Sequence, residues 1–303
     1  MSADEHTKIR GAAAPRPAPT GAARLAPGLY VVATPIGNLS DITLRALDTL
    51  AAADLVLCED TRVTRKLMER YSIKATLVAY HDHNADAVRP RVLAKLAEGA
   101  AIALVADAGT PLVSDPGYKL VAAALQAGHR VFPVPGASAA LAALVAAGLP
   151  SDRFLFDGYL PAKAGQRRAR IEELAAIPAT LILYETGPRL AASLAALSEI
   201  LGARPASVCR ELTKLFEETR RGTLDELAAH YAAAGRPKGE IVIVIGPPEE
   251  RAPDTGDLDA RLQAALVRSS LKDAVASVTA ETGLKRKQVY ARALALAGKG
   301  AKR

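Results

Sequence analysis

From Gly28 onward, short blocks of apolar residues alternate with longer stretches in which apolar residues recur every three or four positions. Blocks of the first kind predict strands at Leu29–Ala33, Leu55–Cys58, Thr76–Tyr80, Ala101–Ala106 and Arg130–Val134. The second kind predicts helices at Asp41–Ala52 with Asp41 as cap, Thr61–Tyr71, Asp86–Glu98 with Pro90 in its first turns, Tyr118–Ala127 and Ser138–Ala147. This alternation predicts a mostly parallel sheet covered by helices. A second α/β unit follows, with strands at Arg153–Asp157, Thr180–Tyr184, Ala206–Arg210 and Glu240–Ile245, and helices at Gln166–Ala176, Leu190–Leu201 and Leu224–Ala234. The charged run Glu217–Arg221, ending in Gly222-Thr223, predicts a hairpin or extended excursion. Three short helical patterns occupy residues 258–297. The expected layout is a disordered leader at 1–27, α/β domains at 28–147 and 148–248, a linker at 249–257, and a helical appendage at 258–303.

Composition agrees with that layout. A chain of 303 residues, half of them hydrophobic, supplies two α/β cores and a small appendage. The net charge of +7 divides unevenly: residues 251–303 carry +6, residues 1–27 carry +2, and the body between them carries −1. A basic tail on a near-neutral body suits either a nucleic-acid-binding appendage or a solubilising one. Two cysteines, Cys58 and Cys209, are too few for a disulfide framework or a cysteine-based zinc site. The most apolar stretch, Ala137–Leu149, is short and broken by Gly148, so it reads as a buried helix rather than a membrane span. With no signal-peptide pattern at the N-terminus, the expected setting is the cytoplasm, away from membranes.

Candidate chemistry sits where strands end, as ligands of open α/β sheets do. Three Gly/Pro turns follow strands: Thr34–Asn38, Asp107–Gly117 and Pro135–Ala139. Each is an ordinary strand-to-helix turn if taken alone; three on neighbouring strands suggest a shared crevice that backbone can approach closely. Glu59-Asp60-Thr61-Arg62 also follows a strand directly. Its carboxylates could accept a proton and Arg62 could grip a phosphate, or the run is a helix cap matched to the helix dipole. His81, His83 and Asn84 form another strand-end group, read as hydrogen bonding to substrate or cofactor or as loop structure. It lacks the third and fourth ligands of a metal site. Arg210, Glu211 and Lys214 either line the same cleft or pair at a domain or dimer boundary. In the tail, Ser270 can cap a helix carrying Val275 and Val278. Glu281-Thr282-Gly283 makes a turn, and Lys285-Arg286-Lys287 opens a second helix carrying Val289, Leu294 and Leu296. That spacing fits a helix-turn-helix, and cations at a helix start oppose its dipole, which favours a binding role over a packing role.

The order of several motifs resembles the tetrapyrrole-methylase superfamily, and within it the branch that methylates ribosomal RNA. The motifs are Ala33–Asn38, Cys58–Arg62, His81–Asn84, Asp107–Gly117, Pro135–Ala139, Tyr184-Glu185, Arg210–Lys214 and Lys238-Gly239-Glu240. The resemblance implies a two-domain α/β fold of tetrapyrrole-methylase type with a small C-terminal helical, helix-turn-helix-like domain. It implies a homodimer, with S-adenosyl-L-methionine between the two α/β domains. By motif, the cofactor would touch Pro35, Ile36, Gly109, Thr110, Pro111, Ser138, Ala139, Tyr184 and Gly239. Many relatives carry an acidic residue where this chain has Thr110, a difference that alters side-chain contacts more than backbone ones. The implied reaction is 2′-O-methylation of a cytidine of 16S rRNA at the decoding centre of the small ribosomal subunit.

A ribose hydroxyl is a weak nucleophile, so a base should assist it; Glu59, Asp60 and Asp107 are candidates, with Arg62 beside them. His81, Asn84, Arg210, Lys214, Lys285, Arg286 and Lys287 are candidates for substrate binding, and methyl transfer from a sulfonium needs no metal. Two rivals stay open: methylation of a tetrapyrrole such as a corrinoid precursor, with no use for a basic tail, and a non-enzymatic ribosome-binding factor, with no use for cofactor loops.

Overall fold

The computed structural model describes residues 24–113, 117–248 and 257–300. Most of the expected leader, the Ser114-Asp115-Pro116 part of the fourth-strand motif and nearly all of the expected linker lie outside these residues. Two compact units are present, one up to Pro248 and one from Glu249.

The first half of the body is a parallel sheet of β1 (Gly28–Val32), β2 (Leu55–Cys58), β3 (Leu77–Ala79), β4 (Ala101–Val105) and β5 (Val131–Val134), in the order β3-β2-β4-β1-β5. Every residue of β4 is buried, as its unbroken apolar run requires of a strand covered on both faces. One face packs against α1 (Leu44–Ala52) and α2 (Thr61–Arg70) through Leu47, Leu50, Leu67 and Met68. The other packs against α3 (Ala85–Ala97) and α4 (Tyr118–Gln126) through Val92, Leu96, Leu120 and Ala124. Register decides what emerges at the carboxyl edge. Val32 lies level with Val105 and Val134, and Leu57 with Leu104. The turns after β1, β4 and β5 and the acidic run after β2 therefore leave the sheet at one level.

Local chemistry shifts one expected start. The expected cap of the first helix, Asp41, instead ends a single 3-10 turn, Leu39–Asp41, and Thr43 caps α1 by accepting the Ala46 N–H at 3.1 Å. A threonine side chain at the last extended residue satisfies an orphan amide that Asp41 is too far upstream to reach.

The second sheet is mixed: β6 (Phe154–Tyr159), β7 (Thr180–Thr186), β8 (Pro205–Arg210), β9 (Glu218–Thr223) and β10 (Glu240–Ile245), in the order β6-β7-β10-β8-β9. β6 is parallel to β7, while β10 runs antiparallel to both β7 and β8. The charged run becomes the edge strand β9, antiparallel to β8, where a polar sequence is tolerated. The helices α6 (Ala164–Ala175), α7 (Gly187–Leu201) and α8 (Leu224–Ala234) cover one face. The other face is covered by α5 (Ala139–Ala147). Thus the helix expected to close the first α/β unit packs on the second sheet, with Ala140, Ala143, Leu144 and Ala147 against Ile182, Cys209, Val242 and Val244.

The second unit contains α9 (Leu258–Arg268), α10 (Leu271–Thr282) and α11 (Arg286–Gly300). Ser270 caps α10 as its sequence predicts, and Gly283, at φ 68°, ends it in the left-handed region. Leu262, Val275, Val278, Val289 and Ala293 form its core. Leu294, expected on the packed face, is about half exposed, because the helical phase set by Val289 brings Ala293 inward instead.

Candidate active site

Backbone and threonine-hydroxyl hydrogen bonds tie the three strand-end turns into one floor. Thr34 N–H donates to the Gly109 carbonyl at 2.9 Å, and Gly109 N–H returns a bond to Thr34 at 3.1 Å. The Thr34 hydroxyl donates to the Ala106 carbonyl at 3.1 Å, and the Thr110 hydroxyl to the Ala137 carbonyl at 3.0 Å. Gly109 is needed for its shape: φ is +79°, and a Cβ there would lie 3.2 Å from Ile36 Cγ2. Its amide and carbonyl are occupied by Thr34, so Gly109 shapes the crevice without offering that amide to a ligand. Gly136 serves close approach, since a Cβ would come within 2.9 Å of the Ala33 Cβ.

Above this floor lies a crevice of about 230 Å³ between the two α/β halves. Ile36, Asp107, Gly109, Thr110, Ser138 and Ala139 line it from the first sheet's turns. The second half contributes Tyr159, Tyr184, Cys209, Leu212, Glu240 and Val242. Ser138 makes no capping bond to α5 although it holds the cap position. The Tyr184 ring packs edge-on to Phe156 and Tyr159, at centroid distances of 4.8 and 5.6 Å. Tyr159, Cys209, Leu212 and Val242 escaped the sequence reading, because an apolar residue near a strand end looks the same whether it lines a cleft or fills a core.

The Arg210–Lys214 loop is strained and pinned. Glu211 (φ 50°) and Thr213 (φ 67°) both occupy the left-handed region that side chains disfavour. Glu211 N–H donates to the Glu240 carbonyl at 3.0 Å, and Glu240 N–H donates to the Glu211 carboxylate at 3.1 Å. Lys214 donates to Glu211 at 2.8 Å and to Glu240 at 3.0 Å, while its stem covers Gly37 of the first half. Arg210 is engaged by Glu218 at 3.0 Å and by the Lys238 carbonyl. The ion-pair alternative therefore describes Arg210; Lys214 combines an ion pair with a place in a second cavity beside the crevice.

The carboxylates separate by environment. Asp107 lines both cavities and accepts the Asp60 N–H at 3.0 Å. Burial, then the neighbouring Asp107 and Asp82, push the Glu59 carboxyl above the usual range, with His81 opposing. The Asp60 carboxylate is held down at about 2 by hydrogen bonds from the Arg62 side chain and amide. Asp60 is the cap of α2, and the Arg62 side chain is 85% exposed and lines neither cavity. The helix-cap alternative accounts for these two; of the remaining carboxylates Asp107 lines both cavities, while Glu59 lines neither and lies close enough to Asp107 to feel its charge.

Other expected site residues lie elsewhere. Pro35 lines the neighbouring cavity rather than the crevice. Pro111 is buried and lines neither. Gly239 faces the Glu211 carboxyl, and its neighbour Glu240 reaches the crevice instead. The Asn84 side chain accepts His81 N–H at 2.9 Å and donates to Ala79 at 2.9 Å, which is the loop-structure alternative. His81 Nδ1 is buried with no hydrogen-bond partner, beside the His83 ring. Lys285, Arg286 and Lys287 are exposed at the start of α11, within the second unit. Among the described residues no group of three or more His, Cys, Asp or Glu could hold a metal ion, and no helix is long and apolar enough to cross a membrane.

A crevice with small residues on one wall and apolar and tyrosine side chains on the other fits a ligand with a flat heterocycle and a polar tail, as S-adenosylmethionine has. Comparison with known proteins agrees. The family model for Tetrapyrrole (Corrin/Porphyrin) Methylases matches residues 28–228, and that for the RsmI C-terminal HTH domain matches residues 252–297. Ribosomal RNA small subunit methyltransferase I of Mesorhizobium japonicum is 56% identical over 273 residues, covering 90% of this chain and 93% of its own. Its counterpart in Erythrobacter litoralis is 54% identical over 272 residues, covering 90% and 96%. The crystal structure of uroporphyrin-III-C-methyltransferase from Thermus thermophilus aligns with a TM-score of 0.52 at 25% identity, over 72% of this chain and 93% of that one. The chain thus belongs to the tetrapyrrole methylase family and, within it, to the ribosomal RNA small subunit methyltransferase I family, and it is an S-adenosylmethionine-dependent methyltransferase.

Proposed function

We propose that this chain methylates the ribose 2′-oxygen of a cytidine in 16S rRNA, at the decoding centre of the small ribosomal subunit, as a cytoplasmic homodimer. The observation that carries this reading is the place of Asp107, a carboxylate at the shared edge of two adjoining cavities. One cavity suits the donor, and the other is open to an acceptor. When bound, S-adenosylmethionine supplies a methyl carbon activated by its sulfonium, which departs as a neutral thioether. The crevice walls orient the donor and keep water away from it. Asp107 takes the proton from the hydroxyl as the new oxygen–carbon bond forms, and Glu59 beside it, a better proton acceptor than an ordinary carboxylate, shares the charge. Only RNA offers the 2′-hydroxyl, so the chemistry itself selects against DNA.

The exposed Lys285, Arg286 and Lys287 support an RNA-docking role for the C-terminal unit. A tetrapyrrole substrate would leave that unit without a task. The test is radiolabelled methyl transfer to naked 16S rRNA, to assembled small subunits and to tetrapyrrole precursors, followed by nucleoside analysis. The expected product is 2′-O-methylcytidine. A base-methylated nucleoside, or label in a tetrapyrrole alone, would overturn the reading.

A further inference from the structure

The second cavity, about 320 Å³, runs between α2 and the turn after β1 and shares Ile36, Asp107, Ala108 and Glu240 with the crevice. Its other walls are of two kinds. Leu39 and Val63 form an exposed apolar strip over the buried Pro35 and Leu67, and Lys66 and Lys214 border it. Lys214 is neutralised by Glu211 and Glu240, so it serves as a fixed wall. Lys66 is exposed on the second turn of α2. The neighbouring outer positions of α2 add Arg62, Arg65 and Arg70 against the single acid Glu69. Arg62 is paired with Asp60 and Arg70 complements the C-terminal end of the helix dipole, which leaves Lys66 as the exposed cation that borders the groove.

We propose that this groove holds the target nucleotide, drawn out of its stack, with the base against the apolar strip of α2 and its phosphate at Lys66. The inference rests on the RNA-methylating reading above and adds to it a place and a mode of binding. A groove that met only sugar and phosphate would gain nothing from the exposed Leu39 and Val63, whereas every base has an apolar face that such a strip can cover. An enzyme whose reacting groups lie inside a cleft must bring the nucleotide to them, and unstacking does so. A base seated beside Val63 leaves its ribose toward the Asp107 edge, where the two cavities meet.

Two variants of the full chain test this with small ribosomal subunits as substrate. Val63 is 38% exposed, so V63W adds bulk at the groove without loading the core. V63W is expected to lower kcat/KM for small subunits by about tenfold or more, the effect of overfilling a packed site, while affinity for S-adenosylmethionine, read by calorimetry, stays unchanged. K66A is a surface change and keeps the test decisive if V63W unfolds. It is expected to raise KM, leave kcat unchanged, and reduce the slope of log KM against log salt by about 0.7, one single-strand phosphate contact. A folded V63W with full turnover, a V63W that loses cofactor affinity in step with activity, or a K66A with unchanged KM and salt slope would each overturn the proposal. A wild-type protein that methylates no small subunit, in any arm, would overturn the RNA-methylating reading itself, and this inference with it.

Discussion

At the scale of single residues, neighbours decide what each carboxylate does. Asp60 and Glu59 are adjacent in sequence, yet one is held down at about 2 by Arg62 and the other is raised by burial and by Asp107. Two predictions follow the difference. Asp107→Asn should slow methyl transfer by about two to four orders of magnitude, the usual worth of a general base, with little change in cofactor affinity by calorimetry. Glu59 acts as an acceptor only when ionised, so activity should fall as pH drops through its raised pKa, which lies above the ordinary 4.5. Glu59→Gln should lower the plateau and remove that limb from the pH–rate profile; a variant with the wild-type profile would exclude Glu59 from the chemistry. Gly109→Val should weaken cofactor binding by bending the turn, since φ is +79° and both backbone bonds to Thr34 depend on it. Calorimetry on the folded variant checks this, and unchanged affinity would remove Gly109 from the crevice.

At the scale of elements, the crevice depends on contacts that cross from one strand end to another. Gly187, the first residue of α7, sits against the Pro237 carbonyl so closely that a Cβ has no room. Gly187→Ala should push away the segment that leads into Glu240, lowering the thermal midpoint and cofactor affinity together; unfolding scans and calorimetry measure the two. The start of α2 should respond to acid. The Asp60 pKa is lowered from 3.8 to about 2, so its cap and ion pair are intact above pH 3.8 and are lost as pH falls toward about 2. The strained Glu211 and Thr213 persist because Glu240 and Lys214 hold their loop from two sides.

At the scale of the molecule, the C-terminal unit has a core of its own, built on Leu262, Val275, Val278 and Val289. Removing it at Ala252, a position outside the described residues, should leave a folded body with unaltered cofactor affinity and reduced affinity for small subunits. Neutralising Lys285, Arg286 and Lys287 together should weaken binding in the same direction and flatten its salt dependence, because fewer counterions are released. Sedimentation and binding on the truncated protein separate this role from that of a dimer brace. A dissociated dimer with unaltered RNA affinity per site would support the brace.

The alternation of apolar blocks was enough to place the strands to within a few residues, because strand burial in a covered sheet leaves a local, periodic trace. The turns at Thr34, Gly109 and Ser138 were legible for the same reason: Gly and Pro at strand ends are local features. Three things were not local. The packing of α5 on the second sheet reads the same in sequence as packing on the first, since an Ala-rich helix carries no address. The meeting of the Asp60 amide with Asp107 turned on register, which sets them opposite each other across two strands far apart in the chain. The apolar lining from Tyr159, Cys209, Leu212 and Val242, and the groove beside α2, arise only where separate elements face one another. Sequence by itself determined the elements, the family and the edge of the sheet where the crevice opens. Which side chains meet there was decided by tertiary structure, because hydrogen bonds, charges and cavities depend on distances that residue spacing does not encode.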